Sequence, residues 1–184
     1  LPSSLSGEKD TALAMVSAAE MELEYFAKHS FDDVIFSLKS SDVEETVRAN
    51  EIFSERYDYP LHLGVTEAGP LVQGIVKNTA AISHLLGKGI GDTIRYSLSD
   101  TPENEVVAGI ALLESLSLRK DGVHIISCPT CSRASFDVRS FLSRVGNDLL
   151  RLGKPLTIAV MGCPVNGPGE AKKADIGITG SGKF

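Results

Sequence analysis

The residues best suited to chemistry are the three cysteines, and all of them lie in two short pieces. Cys128-Pro129-Thr130-Cys131 is a CxxC hook, whose two-residue gap lets both sulfurs reach one centre. Gly162-Cys163-Pro164-Val165-Asn166-Gly167-Pro168-Gly169-Glu170 adds a third sulfur and, seven residues on, a carboxylate across a Gly/Pro-rich stretch. Each piece follows an apolar run that reads as a β-strand. The economical reading is a metal site of three thiolates with room for one oxygen ligand.

Three chemistries compete for it. Iron–sulfur clusters are usually held by four cysteines, so three plus a carboxylate makes an unusual cluster site. A Cys₃His zinc site needs a nearby histidine. His124 is available, although its place four residues before Cys128, in a strand-like run, makes a shared centre awkward. A dithiol redox site is the third option, because strand–CxxC–helix places a thiol where a helix N-terminus lowers its pKa. That option leaves Cys163 unexplained. The bland alternative is three small thiols packed in a core, to which this spacing is a poor match.

A second set of residues stands earlier in the chain. Lys39, Glu67 and Arg95 are spaced by 28 residues, each in or at the end of a run that reads as a strand. In (β/α)₈ barrels the active site is built at the C-terminal ends of the strands. Three charged side chains at such positions point to one mouth, whereas strand ends exposed to solvent would be the simpler account. Small polar followers, Ser40-Ser41-Asp42 after Lys39 and Ala68-Gly69 after Glu67, favour site loops.

The elements that must position these residues follow from periodicity. Helical spacing of apolar residues predicts helices over 8–28, 43–53, 71–86, 103–116 and 136–152. Ser41, three residues before Glu44, carries a capping-box signature for the second of these. Continuous apolar runs predict strands over 34–39, 61–66, 93–98, 123–127, 156–161 and 174–179. Strand alternating with helix is the pattern of a parallel sheet with crossover helices. Residues 1–119 therefore read as the last three βα units of a barrel with a preceding helix, and 120–184 as a small α/β domain. A closed barrel needs eight units. The shortfall, with ends at Leu1 and Phe184 that look cut, suggests part of a longer polypeptide with an open sheet edge.

Composition narrows the function classes. The chain has 184 residues, is 42% hydrophobic and carries a net charge of −6. It thus lacks the basic footprint of a nucleic-acid binder, while a few Lys and Arg in a pocket could still hold an anionic substrate. No apolar run reaches the roughly 20 residues a membrane helix needs, and no signal peptide is visible. An odd cysteine count with one CxxC does not suggest a secreted disulfide scaffold, so a reducing cytoplasmic setting is expected. Gly177 to Lys183 matches part of a P-loop, but Phe184 stands where Ser or Thr should. His29 and His84 read as a helix cap and a helix-surface residue. His62, at the start of a strand, reads as lying opposite the mouth.

The motifs CPTCSR and GCPVNGPGEA, with HLGVTEAG at 62–69 and GIGDTIR at 89–95 in the same order, resemble the hydroxymethylbutenyl diphosphate synthases of the methylerythritol phosphate route to isoprenoids. The resemblance spans essentially the whole chain. It implies the second half of a (β/α)₈ TIM-type barrel followed by a small α/β [4Fe–4S] domain, with Cys128, Cys131, Cys163 and Glu170 as cluster ligands. Asn166 would lie near a cluster sulfur or cap the turn at 167–169 that folds Glu170 back. Glu67 would handle protons. Lys39 and Arg95, with Ser97 two residues on, would bind the diphosphate. The implied reaction is two-electron reductive opening of methylerythritol cyclodiphosphate, with flavodoxin or ferredoxin as electron donor. A homodimer is implied too, in the bacterial cytoplasm or a plastid stroma. Further diphosphate-binding arginines would lie in the first half of the barrel. Pro164 after Cys163 departs from the aliphatic residue commoner in the family.

Overall fold

The computed structural model describes residues 9–129, 132–163 and 167–180. The chain divides into two compact units, Leu1–Leu116 and Ser117–Phe184. No helix among the described residues is long and apolar enough to cross a membrane.

The first unit alternates helix and extended chain. Its helices are α1 (Thr11–Lys28), α2 (Val43–Arg56), α3 (Leu71–Gly87) and α4 (Pro102–Ser115), with β1 (His62–Leu63) between α2 and α3 and β2 (Thr93–Ile94) between α3 and α4. Asp10 starts α1 by accepting from the Leu13 N–H at 3.2 Å. The start of α2 differs from the capping-box reading. Asp42, not Ser41, is the N-cap and accepts from the Glu45 N–H at 3.0 Å. A carboxylate one residue nearer the helix reaches that amide, and an acidic cap also suits the helix dipole.

Pairing in this unit is parallel. Phe36 bridges to Leu61, while His62 and Leu63 pair with Thr93 and Ile94. The strands are shorter than their apolar runs, and 34–39 keeps a single bridge in place of a strand. Backbone bonds nevertheless continue the ladder, from Thr66 N–H to Ser40 O at 3.0 Å and from Arg95 N–H to Leu63 O at 2.9 Å. Alternation sorts the side chains. Phe36, Leu38, Leu61, Leu63 and Tyr96 are buried with Val16, Phe53, Ile82, Leu85 and Leu112 from the helices. Each fully buried side chain of this size contributes about 1.5–3 kcal/mol, and this layer fixes the strand order. The residues between them in sequence, Ser37, Lys39, His62 and Arg95, belong to the opposite side.

The second unit is a parallel sheet in the order β3-β4-β5, formed by β3 (Val123–Ser127), β4 (Leu156–Met161) and β5 (Ile176–Thr179). Helix α5 (Val138–Leu150) crosses from β3 to β4, capped by Asp137 on the Ser140 N–H at 3.0 Å. Val123, Ile158, Val160 and Val138 are its buried centre, with Phe136, Phe141 and Leu149 against them. The tight turn expected at 167–169 is instead a single helical turn, α6 (Gly167–Ala171). A proline early in a helix gives up an N–H that has no intrahelical partner there, so Pro168 is no obstacle to it.

Candidate anion face and thiolate site

Side chains from the following helix hold the end of each extended segment in the first unit. Asn50 on α2 is fully buried and donates to Leu38 O and Thr46 O, both at 2.8 Å. The Thr46 hydroxyl accepts from the Ser40 N–H at 3.0 Å, so the backbone is gripped on both sides of Lys39. Asn78 on α3, also fully buried, accepts from the Val65 N–H at 2.9 Å. Glu105 on α4 accepts from the Leu98 N–H at 2.8 Å. These bonds satisfy backbone groups where the ladder ends. They fix the segments that carry Lys39, Glu67 and Arg95.

The bridge and the pairing of β1 with β2 put Lys39, Gly64 and Arg95 at one level. A Cβ on Gly64 would stand 2.5 Å from Arg95 O, 3.3 Å from Lys39 Nζ and 3.4 Å from Lys39 Cε. The lysine chain therefore lies over a strand position that has no side chain. Burial, and then the charge of Arg95, hold the Lys39 ammonium below the usual lysine range. Two cations kept this close repel each other, a cost that an anion between them would relieve. Arg95 is 62% exposed, and its Nε lies 3.8 Å from Glu105 Oε2.

Lys39 and Arg95 are thus brought together. Ser97 follows two residues on and is half-buried. Glu67 is not level with them, despite the equal 28-residue spacing, because the register offsets are 25 residues (Phe36 to Leu61) and 31 (His62 to Thr93). It sits three residues beyond Gly64, exposed, with φ of 50°. That left-handed backbone is costly for a residue with a Cβ and recurs at functional sites.

Two residues of this face are not among the site residues expected from sequence, which passes over the first and reads the second as lying opposite the mouth. One is Gly64. The other is His62, whose Nδ1 lies 2.7 Å from Thr93 Oγ1. Burial, then the charges of Lys39 and Arg95, hold its imidazole below the usual histidine range. The available signal was period two: His62, Gly64 and Thr66 alternate with Leu61, Leu63 and Val65, so His62 shares the polar side with Lys39 and Arg95.

In the second unit Ser127 pairs with Val160, so Cys128 and Cys163 emerge at the adjoining C-terminal ends of β3 and β4. Cys128 is a half-buried free thiol and Cys163 is buried. The Gly162 N–H donates to Cys128 Sγ at 3.1 Å. The segment after the CxxC folds back over this end, with Ser135 N–H donating to Gly162 O at 2.8 Å. Glu170 is half-buried on α6. Cys131 and Asn166 lie outside the described residues, as does the end of the P-loop-like stretch. Among the described residues no three His, Cys, Asp or Glu side chains converge as a metal-binding group. His124 is exposed on β3, level with Thr157.

An N–H aimed at a cysteine sulfur at a strand end, beside a second cysteine on the next strand, is a setting that suits thiolate ligation. Hydrogen bonds to sulfur tune such centres. Fold and site together define a parallel α/β protein with a lysine and an arginine at one level of the first unit and two cysteines at adjoining strand ends of the second. The chain belongs to the GcpE family. The model of the GcpE TIM-barrel domain matches residues 3–110, and that of the GcpE protein C-terminal domain matches residues 124–184.

Three relatives share the name 4-hydroxy-3-methylbut-2-en-1-yl diphosphate synthase (flavodoxin). The protein of Treponema denticola is 56% identical over 167 residues, covering 91% of this chain and 43% of its own. That of Treponema pallidum is 54% identical over 170 residues, 92% and 42%. That of Thermodesulfovibrio yellowstonii is 50% identical over 167 residues, 91% and 48%. The chain spans under half the length of these curated relatives. The reading as a zinc-binding or thiol-redox module has no counterpart among them.

Proposed function

We propose that this chain supplies the second-half barrel wall, over 1–119, and the iron–sulfur domain, over 120–184, of a 4-hydroxy-3-methylbut-2-en-1-yl diphosphate synthase. The reaction is the two-electron reductive opening of 2-C-methyl-D-erythritol 2,4-cyclodiphosphate, with loss of water, to the open-chain hydroxymethylbutenyl diphosphate. Flavodoxin is the favoured electron donor, since the relatives' printed names carry it. A homodimer in a bacterial cytoplasm completes the reading.

Lys39 and Arg95 bind the diphosphate, Arg95 by two parallel hydrogen bonds and Lys39 as a point charge. Ser97 adds a hydroxyl contact. Glu67 holds or delivers a proton beside the ring that opens. Cys128, Cys131, Cys163 and Glu170 would hold a [4Fe–4S] cluster, with Asn166 as a candidate neighbour of it. When bound, the cluster supplies single electrons and Lewis acidity. The three thiolates would be the lasting ligands to such a centre, and the Glu170 carboxylate the weaker one.

The observation that carries this reading is the placement of Cys128 and Cys163 at adjoining strand ends, with the Gly162 N–H on the Cys128 sulfur. The test is the iron, sulfide and zinc content of anaerobically prepared full-length protein, with a visible spectrum. About four iron and four sulfide per chain and a brown chromophore are expected. Stoichiometric zinc without colour would sink the cluster. Glu170→Ala should lower turnover or cluster retention.

A further inference from the structure

Resting on the anion-face reading, we propose that His62 is a third phosphate contact of the cationic face, one layer below Lys39 and Arg95. The pairing of His62 with Thr93 places it two residues before Gly64 on the same side of β1, directly beneath the level that Lys39 and Arg95 share. Its Nδ1 is engaged by Thr93 Oγ1 at 2.7 Å, which fixes the ring. Among the described residues its Nε2 makes no hydrogen bond, which leaves that edge for a ligand. The strand beneath the ring is held as well, since Ser37 Oγ donates to His62 O at 3.1 Å.

The charges around the ring give this contact a signature. On the segment before β1 the neighbour is Lys39, and on the segment after it Arg95. Asp92 is tied up by the Leu61 N–H at 2.8 Å, one residue before His62. Burial and the two cations all push the free imidazole toward its neutral form. A diphosphate seated on Lys39 and Arg95 reverses the local potential and favours the charged ring. Ligand binding is then coupled to proton uptake, and an imidazolium N–H meets a phosphate oxygen as a charge-assisted bond.

The test is calorimetric titration of inorganic pyrophosphate into the full-length protein at pH 7, in two buffers of different ionisation enthalpy. The wild type should take up a proton, seen as a buffer-dependent heat. His62→Asn preserves an amide partner for Thr93 but has no ionisable group. It should weaken pyrophosphate roughly tenfold or more, the loss of one hydrogen bond to a charged group, and abolish the uptake. His62→Gln, whose longer amide reaches toward the Nε2 position, should recover part of the affinity without the uptake. Lys39→Met serves as the control for the face itself. If Lys39→Met weakens binding while both His62 variants bind and take up protons as the wild type does, the role of His62 is overturned and the anion face stands. If Lys39→Met binds like the wild type, or the wild type does not bind, both fail together.

Discussion

Lys39 Nζ lies 3.3 Å from the point where a Cβ on Gly64 would stand, and Arg95 O lies 2.5 Å from it. Gly64 has no left-handed backbone to demand a glycine, since the positive-φ glycines are Gly69, Gly89, Gly91 and Gly153. Space alone excludes a side chain there, and the empty position lets the ammonium lie beside Arg95.

Gly64→Ala should therefore move both the lysine chain and the β2 backbone. Overpacking of this kind costs about 1–3 kcal/mol, to be read by urea denaturation. Pyrophosphate affinity should fall with it. On a Lys39→Met background the same change should cost less affinity, because the group it displaces is already gone. Equal losses on the two backgrounds would show that the glycine acts through the fold and not through Lys39.

Glu105 joins two functions in one carboxylate, accepting from the Leu98 N–H at 2.8 Å and facing Arg95 Nε at 3.8 Å. Glu105→Gln retains an acceptor for Leu98 and removes the charge beside the arginine. Stability should change by less than about 1 kcal/mol, since Arg95 is 62% exposed and its Nε stands as far as 3.8 Å from the carboxylate. On the proposed function, the KM for the cyclodiphosphate should move more than kcat, because an arginine that holds the diphosphate acts before and during reaction alike. A purely structural role would show as a melting-temperature loss with KM unchanged.

Glu67 has φ of 50° in an exposed turn. Asparagine tolerates that conformation better than other residues with a side chain. Glu67→Asn should raise stability by up to about 1 kcal/mol while turnover falls at least tenfold, consistent with a carboxylate kept for chemistry at a structural cost. Thermal melts and steady-state turnover on the same preparations check both halves. Unchanged turnover would remove Glu67 from the proton-handling role.

Cys163 is 4% exposed at the end of β4. Cys163→Ala leaves a small apolar residue in a buried position, so the β3-β4-β5 sheet should persist by circular dichroism. Iron content should fall far below that of the wild type. Retention of full iron would mean that Cys163 is a packing residue and that the centre is built otherwise.

Much of this protein was legible in its sequence because it depends on local chemistry. The helical periods of α1 to α5, the apolar runs that became β3 and β4, and the CxxC with its distant Cys163 are patterns within a few residues of chain. Each is set by backbone geometry and side-chain polarity. The cap of α2 was misplaced by one residue, since Ser41 and Asp42 are both good caps and only the bond to the Glu45 N–H distinguishes them. The strand expected over 34–39 was reduced to one bridge, because a strand exists only through its neighbours.

Tertiary structure decided which residues share a level. The regular spacing of Lys39, Glu67 and Arg95 suggested three equivalent positions, yet unequal offsets between neighbouring segments align Lys39 with Gly64 and Arg95 and leave Glu67 in the turn above. A shift of register changes every cross-strand neighbour, and no count along the chain fixes it. For the same reason the sequence alone hid His62 and the empty position at Gly64. Their meaning lies in the Lys39 chain that packing brings against Gly64 and in the charges of Lys39 and Arg95 that act on His62.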